Sequence, residues 1–427
     1  MTIQRRLQYY HVPAVSIAFF DASGLRWARA YGASTGTLFQ AGSISKPVSA
    51  VGILRLVDAG RLKLDENVNS ELTSWKVPDN GFTAKTPVTL RELLSHTAGT
   101  TVHGFEGYER RKPVPTLQQV LDGTKPANSL PIRVNVQPGT RYRYSGGGYV
   151  IAEQLLVDTQ HESFATYMHD SVLAPLGMTD STFEQPLPQP EWNRAAVATD
   201  ETGKPYPGSW NVYPEQTAAG LWTTPTDLAK FAIGVQRAIN GDKDAILSQA
   251  TAREMLTAVK PGYGLGFALE GAGPTATFLH NGANTGFQAF FVMHRGGEGV
   301  AIMTDSDNGD LLINEVLNGI GAVYGWSDYA PQQKKLFAMN PKEYARFVGT
   351  YDFGFGLKVT VERRNGALYS IADRQIWHRL YPKSATTFFM LEENVDITFT
   401  SNASGAIDGL MLYQQKGKKI KERVRLR

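Results

Sequence analysis

The sequence predicts an α/β sandwich followed by a small all-β, barrel-like domain. Three observations carry this. At 427 residues the chain exceeds what one hydrophobic core usually serves, so two domains are expected. Apolar runs of strand length open the chain and return between residues 278 and 304, on either side of segments with helical spacing. One antiparallel sheet assembled from both ends of the first domain, flanked by helices and a helical region, accounts for that order. From about Pro341 the texture changes to short strands with turn signals at regular intervals, as in a small antiparallel barrel. The first domain is placed at 1–333 and the second at 341–427, with the linker around Asp328 to Asn340 holding Pro331 and a polar Gln-Gln-Lys-Lys run.

Element by element, Val12 to Phe20 and Leu25 to Tyr31 flank Asp21-Ala22-Ser23-Gly24 and read as a β-hairpin. A third strand ends near Gln40. Val48, Val51, Ile53, Leu54, Leu56 and Val57 then recur at helical spacing, with Pro47 in the first turn and Gly60 past the end. Leu90 to Leu94 is helical and ends at His96-Thr97-Ala98-Gly99. A further helix is expected over Tyr149 to Val157, after the glycines at 146 to 148, and another over Asp227 to Ile239 with Thr226 as its N-cap. Phe278 to His280, Phe287 to Met293 and Gly299 to Thr304 read as strands, and Leu311 to Tyr324 as a closing helix. The second domain offers strands at Tyr351 to Phe353, Leu357 to Val361, Ala367 to Ile371, Arg379 to Pro382, Thr387 to Leu391, Asp396 to Phe399 and Leu410 to Gln414. The basic C-terminus (Lys416, Lys418, Lys419, Lys421, Arg423, Arg425, Arg427) reads as a solvated edge strand, where charge discourages aggregation.

Composition excludes several classes. Apolar residues make up 42% and charged residues 19%, so the chain has a sizeable core. A net charge of +3, with no basic block on a nucleic-acid-binding motif, argues against nucleic acid as partner. There are no cysteines, which rules out disulfides and thiol chemistry. No run of 18 apolar residues exists, so no membrane-spanning helix is expected. Met1 to Pro13 lacks an apolar stretch of the signal-peptide kind. As written the chain reads as cytoplasmic, or as periplasmic or secreted if a signal has been removed.

The chemistry-bearing segments are three. Phe39-Gln40-Ala41-Gly42-Ser43-Ile44-Ser45-Lys46-Pro47 places a serine and a lysine three residues apart at a helix start, so both lie on one face. A serine hydroxyl must lose its proton as it attacks, and a lysine one turn away, its pKa depressed by burial, can take it. The helix N-terminus also favours developing negative charge. Taken alone, the tetrapeptide reads more readily as an N-cap serine with a solvated lysine one turn on. The second segment is Tyr144-Ser145-Gly146, followed by Gly147 and Gly148, a glycine run that permits close approach of backbone to a ligand or a packed neighbour. The third is His280-Asn281-Gly282 with Ala283, where a strand N–H can form one arm of an oxyanion hole.

Other matches are set aside. Gly32-Ala33-Ser34-Thr35-Gly36 copies a nucleophile elbow but joins two strands, so it is a turn. Asp305 to Asp310 resembles a calcium loop with its glycine one position early and no glutamate at position 12. The eight histidines form no metal-ligand pairing, so neither metal nor cofactor is expected. His96 is assigned a structural role at the Thr97-Ala98-Gly99 turn.

Together these segments resemble the serine β-lactamase / D,D-peptidase superfamily. The likeness is to its class C-like branch, which includes family VIII carboxylesterases, D-aminopeptidases and other β-lactamase-related hydrolases. The likeness extends through Leu90 to Gly99, Pro138-Gly139-Thr140, Pro175 to Met178, Ala219 to Thr224 and Tyr263 to Gly266, and so covers nearly the whole chain. The tail from Tyr344 to Tyr351 is similar to the lipocalin-like β-domain often appended to this branch. The resemblance implies a β-lactamase/transpeptidase-like fold in which Ser43 is the acylated nucleophile, Lys46 its activator and Tyr144 the proton relay. It implies an oxyanion hole from the N–H groups of Ser43 and Ala283, and substrate contacts from Gly146, His280, Asn281 and Gly282. Two departures stand out. Gly146 replaces the asparagine that usually contacts the substrate amide, and His280 replaces a lysine that would meet a β-lactam carboxylate.

The expected function is therefore serine hydrolysis, through an acyl-enzyme, of small carboxylic esters or short peptide-like amides. Weak β-lactamase activity is compatible with it. The alternatives are a D-amino-acid-specific peptidase or penicillin-recognising protein, a peptidoglycan-fragment sensor that does not turn over, and an acyltransferase. The partner is a small-molecule substrate, and a homo-oligomer is compatible with the chain. The second domain is expected to shape access without supplying a catalytic group, its aromatics (Tyr351, Phe353, Phe355, Tyr369, Trp377, Tyr381, Phe388, Phe389) mostly filling its own core.

Overall fold

The computed structural model describes residues 2–273, 276–331, 333–354, 357–372, 377–391, 395–412 and 415–420. Two compact units are present, Met1–Gly309 and Asp310–Arg427.

In the first unit, helix α1 (Ile3–Tyr10) leads into the hairpin β1 (Val15–Asp21) and β2 (Gly24–Tyr31). The hairpin turn is closed by Asp21 Oδ1, which accepts from the Ser23 N–H at 2.8 Å and its hydroxyl at 2.6 Å. A short strand, β3 (Phe39–Gln40), and a single 3-10 turn (Gly42–Ile44) precede α2 (Ser45–Asp58). Helix α2 is buried on nearly every side, as a helix apolar all round must be, and even Ser45, Lys46 and Ser49 are inside. Its chain reverses at Gly60, whose left-handed φ of 68° suits glycine. Helix α3 (Leu90–Leu94) starts with a capping box between Thr89 and Glu92.

The connecting region carries β4 (Tyr108–Glu109), α4 (Leu117–Asp122), α5 (Gly146–Gln160), α6 (Phe164–Met168), β5 (Asn211–Val212), α7 (Gln216–Ala219) and β6 (Trp222–Thr223). Then follow α8 (Pro225–Asn240) and α9 (Gln249–Met255). Two helix starts here differ from expectation. Helix α5 begins at Gly146, capped by Ser145, so the three glycines lie within its first turn. They are there because that turn abuts the 100–105 segment: a Cβ on Gly147 would stand 2.5 Å from the Thr101 carbonyl oxygen. The N-cap of α8 is Thr224, not Thr226. Thr224 is extended and accepts from the Asp227 N–H at 3.2 Å, and Pro225 takes the first helical position that its fixed φ favours.

The sheet is completed by β7 (Ala268–Glu270), β8 (Thr277–Asn284), β9 (Phe287–His294) and β10 (Gly299–Thr304), all antiparallel in the order β2-β1-β10-β9-β8-β7. The two ends of the unit thus meet where β1 pairs with β10, Val15 opposite Thr304. A single core runs from the sheet (Ala18, Phe20, Phe278, Phe291, Met303) through α2, α5 and α8. Strand β7 pairs only with Thr277 to Leu279 of β8. The β8 edge from His280 to Asn284 is left for something else, and the 3-10 turn at Ser43 packs there.

The second unit begins with most of α10, whose span is Gly309–Tyr324. Its eight strands, β11 (Gly349–Gly354), β12 (Leu357–Arg364), β13 (Ala367–Ala372), β14 (His378–Pro382), β15 (Thr387–Phe389), β16 (Asp396–Ser401), β17 (Ile407–Leu412) and β18 (Gln415–Ile420), form a closed barrel. Closure comes from Thr350–Asp352 pairing with Lys418–Ile420. The expected basic edge strand is therefore corrected: β18 is paired on both sides, and the barrel removes its own edges. Lys421, Arg423, Arg425 and Arg427 lie outside the described residues, as do Phe355 and the end of the expected Leu410 to Gln414 strand. Tyr351, Phe388, Phe399 and Phe347 fill the barrel interior. Among the described residues, no helix is long and apolar enough to cross a membrane.

Candidate active site

The site is built around the 3-10 turn that carries Ser43. Gly42 adopts a left-handed φ of 51°, and a Cβ there would stand 2.6 Å from the Ala283 nitrogen. The turn is fixed by Ser45, whose hydroxyl donates to the Gly42 carbonyl at 2.6 Å and accepts from the Leu221 N–H at 3.0 Å.

Lys46, one turn on, is 2% exposed. Its Nζ donates to Ser43 Oγ at 2.8 Å and to the Ala218 carbonyl at 2.9 Å. That carbonyl belongs to α7, which Glu153 holds by accepting from the Thr217 N–H at 2.8 Å and hydroxyl at 2.9 Å. Among the described residues no carboxylate pairs with Lys46; its ammonium faces the rings of Tyr144 at 5.0 Å and Tyr149 at 5.7 Å. Burial without a counter-ion pulls its pKa down to about 7, so near neutral pH a large fraction is the free amine.

Tyr144 hydrogen-bonds Ser43, and burial holds its proton well above the usual range. Its ring lies between His96, centroids 4.2 Å apart, and His103, at 4.9 Å. His96 is buried, has a left-handed φ of 57°, and accepts the Ser145 N–H on Nδ1 at 3.1 Å. It thus pins the residue after Tyr144. Burial keeps it neutral.

His280 is also buried. Its Nε2 lies 3.1 Å from the Tyr263 hydroxyl and its Nδ1 meets the Asn281 carbonyl. Burial, and secondarily the Lys46 charge, pull its pKa down to about 3, so it stands in the site as a neutral imidazole. Gly282 is required by packing: a Cβ would fall 1.9 Å from the Ala41 carbonyl oxygen. Asn284, which the sequence reading passed over, donates from Nδ2 to Gln40 Oε1 at 2.8 Å and to the Ala219 carbonyl at 3.1 Å, tying β8 to β3 and α7. Strand alternation puts Asn281 and Ala283 on the exposed side, opposite His280 and Gly282. Gly146 donates its N–H to the His103 carbonyl at 2.9 Å.

The structure therefore brings Ser43, Lys46, Tyr144, His280, Gly282 and the Ala283 backbone into one cluster. Missed in the sequence were His103, Phe105, Tyr149, Tyr263 and Asn284, whose positions follow no local period. Among the described residues, no group of three or more His, Asp or Glu is placed to hold a metal.

Residues 2–315 match the Beta-lactamase family, and residues 333–423 match a domain of unknown function, DUF3471. Penicillin-binding protein 4 of Amycolatopsis lactamdurans is 27% identical over 377 residues, covering 80% of this chain and 94% of that protein. The octameric penicillin-binding protein homologue from Pyrococcus abyssi superposes with a TM-score of 0.64 at 20% identity, covering 98% of each chain. The D-amino acid amidase from Ochrobactrum anthropi SV3, in its complex with L-phenylalanine amide, superposes at 0.56 with 23% identity, covering 71% of this chain and 89% of that one. At these identities the structural likenesses speak to the fold. With the family match covering most of the chain, the protein belongs to the beta-lactamase family, within the serine β-lactamase / D,D-peptidase superfamily.

Proposed function

We propose that the protein is a serine hydrolase acting through an acyl-enzyme on small carboxylic esters, with short peptide-like amides as poorer substrates. The observation that carries this is the Lys46 Nζ at 2.8 Å from Ser43 Oγ, in a pocket that lowers its pKa to about 7. In the proposed mechanism the free amine of Lys46 accepts the Ser43 proton as Oγ attacks the substrate carbonyl. The Ser43 and Ala283 N–H groups stabilise the resulting oxyanion. Tyr144, hydrogen-bonded to Ser43, hands a proton to the leaving group. Water then repeats the sequence in reverse on the acyl-enzyme.

Esters are favoured because the polar partners an amide or a β-lactam would need are missing. Gly146 offers no side-chain amide, and His280 is neutral. A site without such partners gains little from the substrate's polar groups. A second reading, hydrolysis of D-amino-acid amides, is favoured by the likeness to the D-amino acid amidase from Ochrobactrum anthropi SV3. Likeness to an octameric homologue makes a homo-oligomer part of the proposal.

Two experiments test it. Ser43→Ala should abolish turnover of p-nitrophenyl esters, with the acyl adduct of the wild type mapped to Ser43 by mass spectrometry; Tyr144→Phe should slow turnover by about 10² to 10⁴-fold. An active Ser43→Ala enzyme, or an adduct elsewhere, sinks the assignment. In a direct comparison, kcat/KM for C2 to C4 p-nitrophenyl esters should exceed that for D-amino-acid anilides and for nitrocefin. The reverse order would reject the ester preference while leaving the acyl-enzyme intact.

A further inference from the structure

We infer that the arch formed by Val102 to Phe105 is the acyl-specificity element of the Ser43 site, roofing it with Phe105 so that it takes short acyl groups. The inference rests on the acyl-enzyme reading above. It begins from a backbone outlier. Val102 has a φ of 64°, in the left-handed region that β-branched residues avoid, and such strain persists only where surrounding structure imposes it.

The surroundings that impose it are the start of α5. The Gly147 N–H donates to the Val102 carbonyl at 3.0 Å and the Gly146 N–H to the His103 carbonyl at 2.9 Å. Ser145, next to Tyr144, donates its hydroxyl to the Thr101 carbonyl at 2.7 Å and the Val102 carbonyl at 3.1 Å. The far end of the arch is latched to the opposite wall. The Glu106 carbonyl accepts from the Tyr213 hydroxyl at 3.2 Å, the Thr285 hydroxyl at 3.2 Å and Asn211 Nδ2 at 3.0 Å. Thr285 is two residues past Ala283. The arch therefore spans from the Tyr144 side of the site to the β8 side.

Its side chains take up the room above Gly146. A Cβ on Gly146 would stand 2.9 Å from Phe105 Cε2 and 3.2 Å from the His103 carbonyl oxygen. The φ of Gly146 is an ordinary one, so what excludes a side chain there is the Phe105 ring and the arch, not the backbone. Phe105 is partly exposed with its buried part against the core, and the exposed His103 has its ring 4.9 Å from that of Tyr144. The site thus presents the Phe105 ring and the His103 backbone carbonyl in the space a side chain at 146 would fill. That is a wall for a small apolar acyl chain.

The test uses the full chain and the ratio of kcat/KM for p-nitrophenyl octanoate to that for the butyrate, with an organophosphate titrating Ser43 in parallel. Phe105→Ala should raise the ratio by about tenfold or more, the scale on which apolar pockets discriminate, and Phe105→Trp should lower it. Phe105→Leu carries the same test should the alanine variant not fold. Gly146→Asn alone should slow Ser43 acylation, and adding Phe105→Ala should restore it, a rescue that a merely structural arch would not produce. Unchanged ratios in variants that still titrate at Ser43 overturn the inference. Absence of Ser43 labelling in the wild type would instead overturn the acyl-enzyme reading itself.

Discussion

Lys46 sits in a pocket that, among the described residues, offers it two acceptors and no countercharge. Its folded pKa of about 7, against 10.5 when solvated, has two consequences. For catalysis, the base form grows as pH rises, so kcat/KM should show an acid limb with a midpoint near 7; a midpoint near 5, or none, would remove Lys46 as the base. For stability, the unfolded chain holds a proton between pH 7 and 10.5 that the folded chain has released, so stability rises with pH across that window. A shift of this size corresponds to at most about 5 kcal/mol, offset in part by the hydrogen bonds to Ser43 and Ala218. Lys46→Met should therefore be inactive, and its melting temperature relative to wild type should be higher at pH 7 than at pH 10. A pH-independent difference would contradict the buried-amine account. Burial likewise raises the carboxyls of Glu153 and Glu215 to about 8, so the ground beneath α7 is neutral as well.

At the scale of elements, the site is a junction between a turn and a strand edge. Strand β7 stops short, β8 presents His280 to Asn284, and the Ser43 turn packs there with no room for a side chain at Gly42 or Gly282. Gly282→Ala would force the β8 edge away from the Ala41 carbonyl by an ångström or more. Misplacement of that order costs about 10²-fold in rate, and acylation of Ser43 should fall accordingly while the hairpin β8–β9 stays folded. Rapid acylation in a folded Gly282→Ala protein would show that the strand edge does not position the proposed oxyanion site. Helix α5 is the other junction, its glycine run accepting the 100–105 segment instead of a ligand.

For the whole molecule, every candidate site residue lies in the unit Met1–Gly309. The barrel has its own core, led by Phe347, Tyr351, Phe388 and Phe399. A chain ending near Gln333, where soluble, should still be acylated at Ser43 but with altered acyl-chain preference or association state. Loss of Ser43 labelling in a folded truncation would place part of the machinery in the barrel. An unchanged substrate profile and unchanged association state would reduce the barrel to an appendage.

Local spacing was enough for the sequence to determine a good deal. The three-residue interval puts Lys46 over Ser43, apolar runs at both ends of the first unit predict strands that meet in one sheet, and the short strands after Pro341 predict the barrel. Each of these follows from helical or strand periodicity, which is a property of neighbouring residues. What only the tertiary structure decided depends on contacts between residues far apart in the chain. Burial of Lys46 and His280 sets their charge states. The 100–105 segment gives the glycine run its purpose, and Phe105 excludes a side chain at Gly146. Pairing of β18 with β11 turns an expected basic edge into a closed barrel. None of these leaves a periodic mark, because desolvation and steric exclusion are set by whatever the fold brings alongside.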